Sequence, residues 1–223
     1  VCAATELQWS EYLEFDSREF KSSQNIRSNH MEWIDGCIYI VELPSPVQDI
    51  YGFMFGKYLL RHPVVDRYLK IHGRAFVPNQ LMYEPDESFG PALETGAVLP
   101  SNMEQWWNWS TLKVEIGYLR QWGRTEGQLD WKAERWASFP GVRYILCVML
   151  LHDLTGAEYK LYKVRYEGFT LPEQRPIRVL LPQTYLKFDS RWLLGLEHNA
   201  KLPSGFPKAL YVDMYSVLDD ARR

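Results

Sequence analysis

Thr111-Leu-Lys-Val-Glu-Ile-Gly-Tyr118 alternates with the two-residue period of a β-strand. Leu112, Val114, Ile116 and Tyr118 share one face, and Lys113, Glu115 and Gly117 the other. A carboxylate in the middle of such a strand is costly to bury unless a metal ion or a charged partner compensates it. Upstream lies Tyr83-Glu-Pro-Asp-Glu87, with Asp86 directly after a proline and 29 positions before Glu115; downstream, Asp130-Trp-Lys132 sits on a helical pattern. Two acids and a lysine around a strand-rich core are the side chains that metal-assisted phosphodiester cleavage needs.

The neighbouring segments supply that core. Residues 127–139 carry a helical pattern that stops at Pro140-Gly141. The near-continuous apolar run 142–151 is that of a strand buried on both faces. On the N-terminal side, Asp35-Gly36 is a turn signal and Cys37-Ile-Tyr-Ile-Val41 a strand. Pro44-Ser-Pro46 breaks it and opens a helix over about 47–60, with Ile50, Phe53, Met54, Tyr58 and Leu59 at helical spacing. A helical turn is expected over 64–69, short strands at Phe76-Val77 and Leu81-Met82, and irregular chain from 90 to 108. Further strands follow over 158–166 and 177–181, and a segment 210–218 closes the pattern. A short helix over 6–15 falls in a polar N-terminal stretch. Residues 1–30 therefore read as an extension and 31–223 as one domain, a mixed α/β architecture of one sheet with helices packed on it.

Composition bounds the partners. The 223 residues are 46% hydrophobic and 24% charged, enough for a sizeable core and unlike a disordered chain. A net charge of −3 argues against coating nucleic acid through overall charge, while leaving room for a local basic groove. Three cysteines, Cys2, Cys37 and Cys147, cannot all pair within the chain, and no spacing links them to the five histidines as a zinc site. Cys37 and Cys147 fall in apolar strand patterns, where thiols behave as small hydrophobes. Asn108-Trp-Ser110 is a formal glycosylation sequon of a kind common by chance. No signal peptide or membrane-length apolar run is visible, so the expected location is intracellular, in cytoplasm or nucleus, without a membrane partner. The chain opens with Val-Cys rather than Met and reads as a fragment or trimmed sequence.

The order of these motifs resembles the restriction endonuclease-like proteins of the PD-(D/E)XK nuclease superfamily. Asp35-Gly36, a strand, and Leu43-Pro-Ser-Pro-Val-Gln48 leading into a helix are similar to that family's N-terminal half. Glu84-Pro-Asp86 resembles its Pro-Asp motif, and Val114-Glu-Ile116 its central acidic strand. Lys132, followed by Trp136 and Pro-Gly-Val-Arg-Tyr144, resembles its lysine helix and the strand after it, and Leu210-Tyr-Val-Asp213 running into Val217-Leu218 its ending. The resemblance spans most of 34–220. It implies a restriction endonuclease-like fold, a mixed β-sheet flanked by helices with extra C-terminal strands, and a DNA endonuclease dependent on Mg2+ (or Mn2+). Asp86 and Glu115, with the carbonyl of Ile116, would hold the ion, and Lys132 would assist the water; Asp49 is a candidate additional acid. The resemblance also allows a homodimer. Departures from the pattern are Gly117, where the commonest form has lysine two residues after the acid; Ser110-Thr111, where a second Pro-Asp is frequent; and Gln48, where the helix tends to open with histidine. Lys113, on the face of Glu115, is the second candidate for the lysine.

Blander readings stand beside these. Asp86 after Pro85 serves as an ordinary turn residue, Glu115 as a solvent-facing acid on an edge strand paired with Lys113, and Lys132 as an exposed helix lysine. Lys57, Arg61, His62, Arg67, Lys70, His72 and Arg74, with Asp66 opposing them, read either as a solvated face or as the wall of a phosphate groove. Lys57, Arg61, Arg67, Lys70 and Arg74 are the nucleic-acid-binding candidates. Trp106, Trp107 and Trp109 read as a plug at the side of the sheet before a base-stacking surface. The rival functions are a catalytically inactive nuclease-fold module binding nucleic acid or protein, favoured by Gly117, and a β-rich carbohydrate-binding or structural protein, favoured by nine tryptophans.

Overall fold

The computed structural model describes residues 46–74, 84–118 and 121–223 with their side chains, Asp153 excepted, and the backbone of three strands, β1 (Cys2–Ala4), β2 (His30–Ile34) and β3 (Cys37–Glu42). These three pair antiparallel in the order β1-β3-β2, so Cys37–Glu42 is a strand, as its pattern indicates. The turn at Asp35-Gly36, the helix over 6–15 and the strands at 76–77 and 81–82 lie outside the described residues.

Helix α1 (Pro46–Leu59) starts on a proline, whose fixed φ suits the first helical turn. Its buried stripe is Tyr51, Phe55 and Leu59; of the apolar positions at helical spacing, Leu59 is buried and Met54 and Tyr58 are partly buried against the core, while Ile50 and Phe53 face outward. Ile50 is 44% and Phe53 66% exposed. The phase is set by the glycines: Gly52 and Gly56 lie on the inner face, and a Cβ on Gly52 would stand 3.0 Å from the Glu87 Cγ. Helix α2 (Pro63–Tyr68) follows, capped by His62, whose Nδ1 accepts from the Val64 N–H at 3.3 Å.

The central sheet has six strands in the order β4-β5-β6-β7-β8-β9: β4 (Leu69–Ile71), β5 (Glu87–Pro91), β6 (Leu112–Gly117), β7 (Tyr144–Leu150), β8 (Ala157–Lys163) and β9 (Ile177–Val179). Each neighbouring pair is antiparallel except β6 with β7. A parallel neighbour requires a crossover, and helix α3 (Leu129–Ala137) supplies it. The strand at 87–91 was unexpected: Glu-Ser-Phe-Gly-Pro has weak strand propensity and forms one because it pairs on both sides. Gly90 is required there, since a Cβ would fall 2.1 Å from the Trp109 carbonyl oxygen.

Strands β10 (Tyr185–Asp189) and β11 (Ala209–Asp213) form a separate antiparallel pair, with the short helix α4 (Ser190–Leu193) after β10 and α5 (Met214–Ala221) after β11. The expected single sheet is therefore three sheets among the described residues. The 210–218 segment splits at Asp213, whose Oδ1 accepts from the Tyr215 N–H and starts α5. The result is a mixed α/β fold, its main sheet mostly antiparallel and flanked by helices.

The two faces of the sheet carry separate cores. Leu112, Val114 and Ile116 of β6 pack with Leu146 and Val148 of β7 against α1 and α5. Ile145 and Cys147 pack on the other side against Leu129, Ala133 and Trp136 of α3. β6 is buried at every position, so its polar side chains point under α3 and not into solvent.

Candidate functional site

β5 begins at Glu87, level with Val114 and three residues short of the end of β6 at Gly117, and Asp86 continues the ladder there. Its backbone N–H donates to the Val114 carbonyl at 3.1 Å, and its Oδ2 accepts from the Ile116 N–H at 2.7 Å. The two bonds bracket Glu115, and one further step of the β5–β6 register brings Asp86 level with it. Asp86 is buried and turns the chain only in the course of pairing with β6, which replaces the plain turn reading. The Ile116 carbonyl accepts from Gln48 Nε2 of α1 at 2.6 Å. Both backbone groups of Ile116 are thus held by side chains where a strand would otherwise continue.

Glu115 is 1% exposed on a central strand, so the solvent-facing edge reading is overturned. Its Oε1 accepts from the Trp136 indole N–H at 2.7 Å, and its Oε2 meets Lys132 Nζ at 3.2 Å. Lys132 and Trp136 are one helical turn apart on α3, which is why one helix face grips both carboxylate oxygens. Lys132 is itself buried, at 5% exposure, which overturns its reading as an ordinary exposed lysine. The sequence candidates Asp86, Glu115, Ile116 and Lys132 therefore gather at one end of β6.

Lys113 shares the α3 face, 2% exposed, with its ammonium 5.1 Å from the Trp136 ring centre. Burial pushes its pKa down to about 7, against the opposing pull of Glu115. His72, whose Nδ1 lies 3.2 Å from Ser110 Oγ, is driven down to about 4 by burial and by the Lys113 charge. A second buried cluster continues across the sheet. Glu115 is level with Cys147 on β7, and Cys147 with Lys160 on β8. Lys160 Nζ donates to both oxygens of Asp130 at 2.7 and 2.9 Å, and the Tyr162 hydroxyl to Asp130 Oδ1 at 2.6 Å. The Cys147 thiol is pushed well up, chiefly by burial and then by Glu115 and Asp130, and stays an inert core group.

The remaining candidates lie on the α1 side. Asp49 is half exposed and ion-paired with Arg74. Glu87 stands near both, and burial raises its carboxyl above the usual range. Lys57 reaches Asp220 at 4.0 Å, Lys70 donates to the Asp66 carbonyl at 2.7 Å, and Arg67 lies over the Tyr68 ring. Arg61 is exposed. His62 caps α2, and His72 is half-buried beside Ser110. Lys57, Asp66, Ile71 and Glu87 line a cleft of about 330 Å³ over Gly52 and Gly56.

Trp109 is the plug that its cluster promised: 1% exposed, its indole N–H donating to the Gly141 carbonyl at 3.1 Å. Gly141 and Gly195 have positive φ and leave room only for that ring, a Cβ on either falling within 2.4 Å of it. Trp107, in contrast, is 64% exposed.

Sequence reasoning missed Trp136 and the Asp130–Lys160–Tyr162 cluster as parts of this region. Trp136 reads as core, and nothing local says that its N–H finds Glu115. Among the described residues, no three His, Cys, Asp or Glu side chains form a metal-holding group, and no helix is long and apolar enough to cross a membrane. Compared with known proteins, the chain matches no family model and no curated sequence.

Proposed function

We propose that the chain is a metal-dependent DNA endonuclease of the PD-(D/E)XK type with a restriction endonuclease-like fold. The observation that carries the reading is the bracketing of Glu115 by Asp86, with Lys132 on the carboxylate and the Ile116 carbonyl alongside. The order of elements also supports it: first helix, Pro-Asp residue, acidic strand, lysine helix and following strand come in the sequence that the resemblance implies, and the acidic strand pairs with that following strand.

The donor set fits magnesium, which takes oxygen ligands and needs few protein carboxylates. Two carboxylates and a peptide carbonyl belong to neighbouring positions near the end of β6, with Asp86 on the Ile116 N–H and Gln48 on the Ile116 carbonyl. An ionised carboxylate has about four lone-pair positions, so the bonds that Trp136 and Lys132 make leave acceptor capacity on Glu115. Held by Asp86, Glu115 and the Ile116 carbonyl, the ion would lower the pKa of a bound water and neutralise charge on the phosphate. Asp86 anchors the end of β6 through the Ile116 N–H, and Gln48 fixes the direction of the Ile116 carbonyl. Lys132 Nζ, 3.2 Å from Glu115 Oε2, would present an ammonium beside the reacting phosphate. Trp136 locks the rotation of the same carboxylate.

One observation favours a second reading, an inactive nuclease-fold module that binds nucleic acid or protein. Both oxygens of Glu115 already have partners, as in a purely structural buried pair. Plasmid nicking in magnesium separates the two. The endonuclease nicks supercoiled DNA, and Glu115→Gln and Asp86→Asn each reduce the rate by at least 100-fold while remaining folded. No metal-dependent nicking by the unaltered chain would refute the enzyme reading.

A further inference from the structure

Two cations without a carboxylate partner among the described residues lie at the start of β7, three residues before the position level with Glu115. Arg143 immediately precedes β7, and Lys163 ends β8, level with Tyr144. The Arg143 guanidinium lies 4.5 Å from the centre of the Trp192 ring and the Lys163 ammonium 5.0 Å from it. The Arg143 carbonyl accepts from the N–H of Val164, the residue after Lys163, at 2.9 Å and from the Trp192 indole N–H at 3.1 Å. Tyr144 is three residues from Cys147, the residue level with Glu115, so this cluster sits roughly 10 Å along the strand from the acidic end.

Its chemistry is incomplete as it stands. Among the described residues no carboxylate lies within 4.0 Å of Arg143 or Lys163. Asp189, the nearest acid in the chain order of α4, spends Oδ1 on capping that helix at the Trp192 N–H. Arg143 Nε is buried without any hydrogen-bond partner, an arrangement that costs free energy unless an acceptor completes it. The indole supports both cations from its face without neutralising either. A guanidinium and an ammonium held on one indole, with one N–H unused, offer the donors that the oxygens of a phosphate group take.

We infer that Arg143, Lys163 and Trp192 form a phosphate-binding site, taking a nucleic-acid backbone phosphate, apart from the acidic end of the sheet. Free phosphate presents the same chemistry, and the test distinguishes the two. The inference does not depend on nuclease activity. Binding is therefore measured on the full chain in EDTA, with a fluorescein-labelled 20-nucleotide single strand followed by anisotropy and inorganic phosphate by calorimetry. Lys163→Gln, at an exposed position, and Arg143→Gln/Lys163→Gln are compared with the unaltered chain, with circular dichroism to check folding. The expected result is loss of oligonucleotide affinity on the order of tenfold, with the slope of log K against log salt shallower by about 0.7 for one phosphate contact. Loss of inorganic phosphate binding with unchanged oligonucleotide binding would keep the phosphate site and overturn the backbone assignment. No binding of either ligand by the unaltered chain, or unchanged affinity of Lys163→Gln and of the double variant for both ligands, would overturn the site itself.

Discussion

Glu115 and Lys132 are both nearly inaccessible and 3.2 Å apart, and their energetics follow from that burial. Removing one partner of such a pair strands the other charge, at a cost of about 3–5 kcal/mol, whereas replacing both with apolar groups of similar volume is often neutral. Lys132→Met is therefore expected to lower unfolding free energy by about that amount in urea titrations, and Glu115→Leu/Lys132→Met to recover most of it. Lys113 works in the opposite sense. Its pKa falls from 10.5 unfolded to about 7 folded, so between those values the unfolded chain binds more protons and stability rises with pH. Below pH 7 the penalty for the buried ammonium is fully present. Lys113→Met should thus raise the melting temperature at pH 6.5 and remove that part of the rise between pH 7 and 10. Tyr51 offers a third check, since its buried hydroxyl has no partner among the described residues. Tyr51→Phe should leave stability unchanged or slightly higher.

Among the elements, legibility tracked how local the forming signal was. β6 and β7 announce themselves through alternation and a continuous apolar run, α3 through its helical period and the Pro140-Gly141 stop, and α1 through Pro46. β5 stayed hidden because serine, glycine and proline make a strand only when β4 and β6 pair with them. Helical spacing in α1 did not show that Ile50 and Phe53 face outward, because the helix phase depends on two glycines meeting β5, a contact between segments about 35 residues apart. Gly56 makes that testable: a Cβ there would be 3.6 Å from Phe89, ordinary contact, inside a helix where glycine costs about 0.5–1 kcal/mol relative to alanine. Gly56→Ala should raise stability by about that amount, while Gly90→Ala, 2.1 Å from a backbone oxygen, should destabilise the protein or prevent folding.

For the whole molecule, the sequence shows the acids and the lysine but not their surroundings. Asp86 stands out in the sequence as an acid directly after a proline and Glu115 as one inside an apolar strand, whereas their meeting through the Val114 carbonyl and the Ile116 N–H is made by strand pairing. That Glu115 is held by Trp136 and Lys132, that Gln48 takes the Ile116 carbonyl, and that Arg143 and Lys163 meet over Trp192 at the start of β7 depend on three-dimensional packing. The most direct test is a Mn2+ titration followed by electron paramagnetic resonance, with Mg2+ as competitor. One bound ion per chain is expected, displaced by Mg2+ and lost or weakened at least tenfold in both Asp86→Asn and Glu115→Gln. Binding of the same strength in the unaltered chain and in both variants, or no binding at all, would contradict a shared divalent-ion site at Asp86 and Glu115.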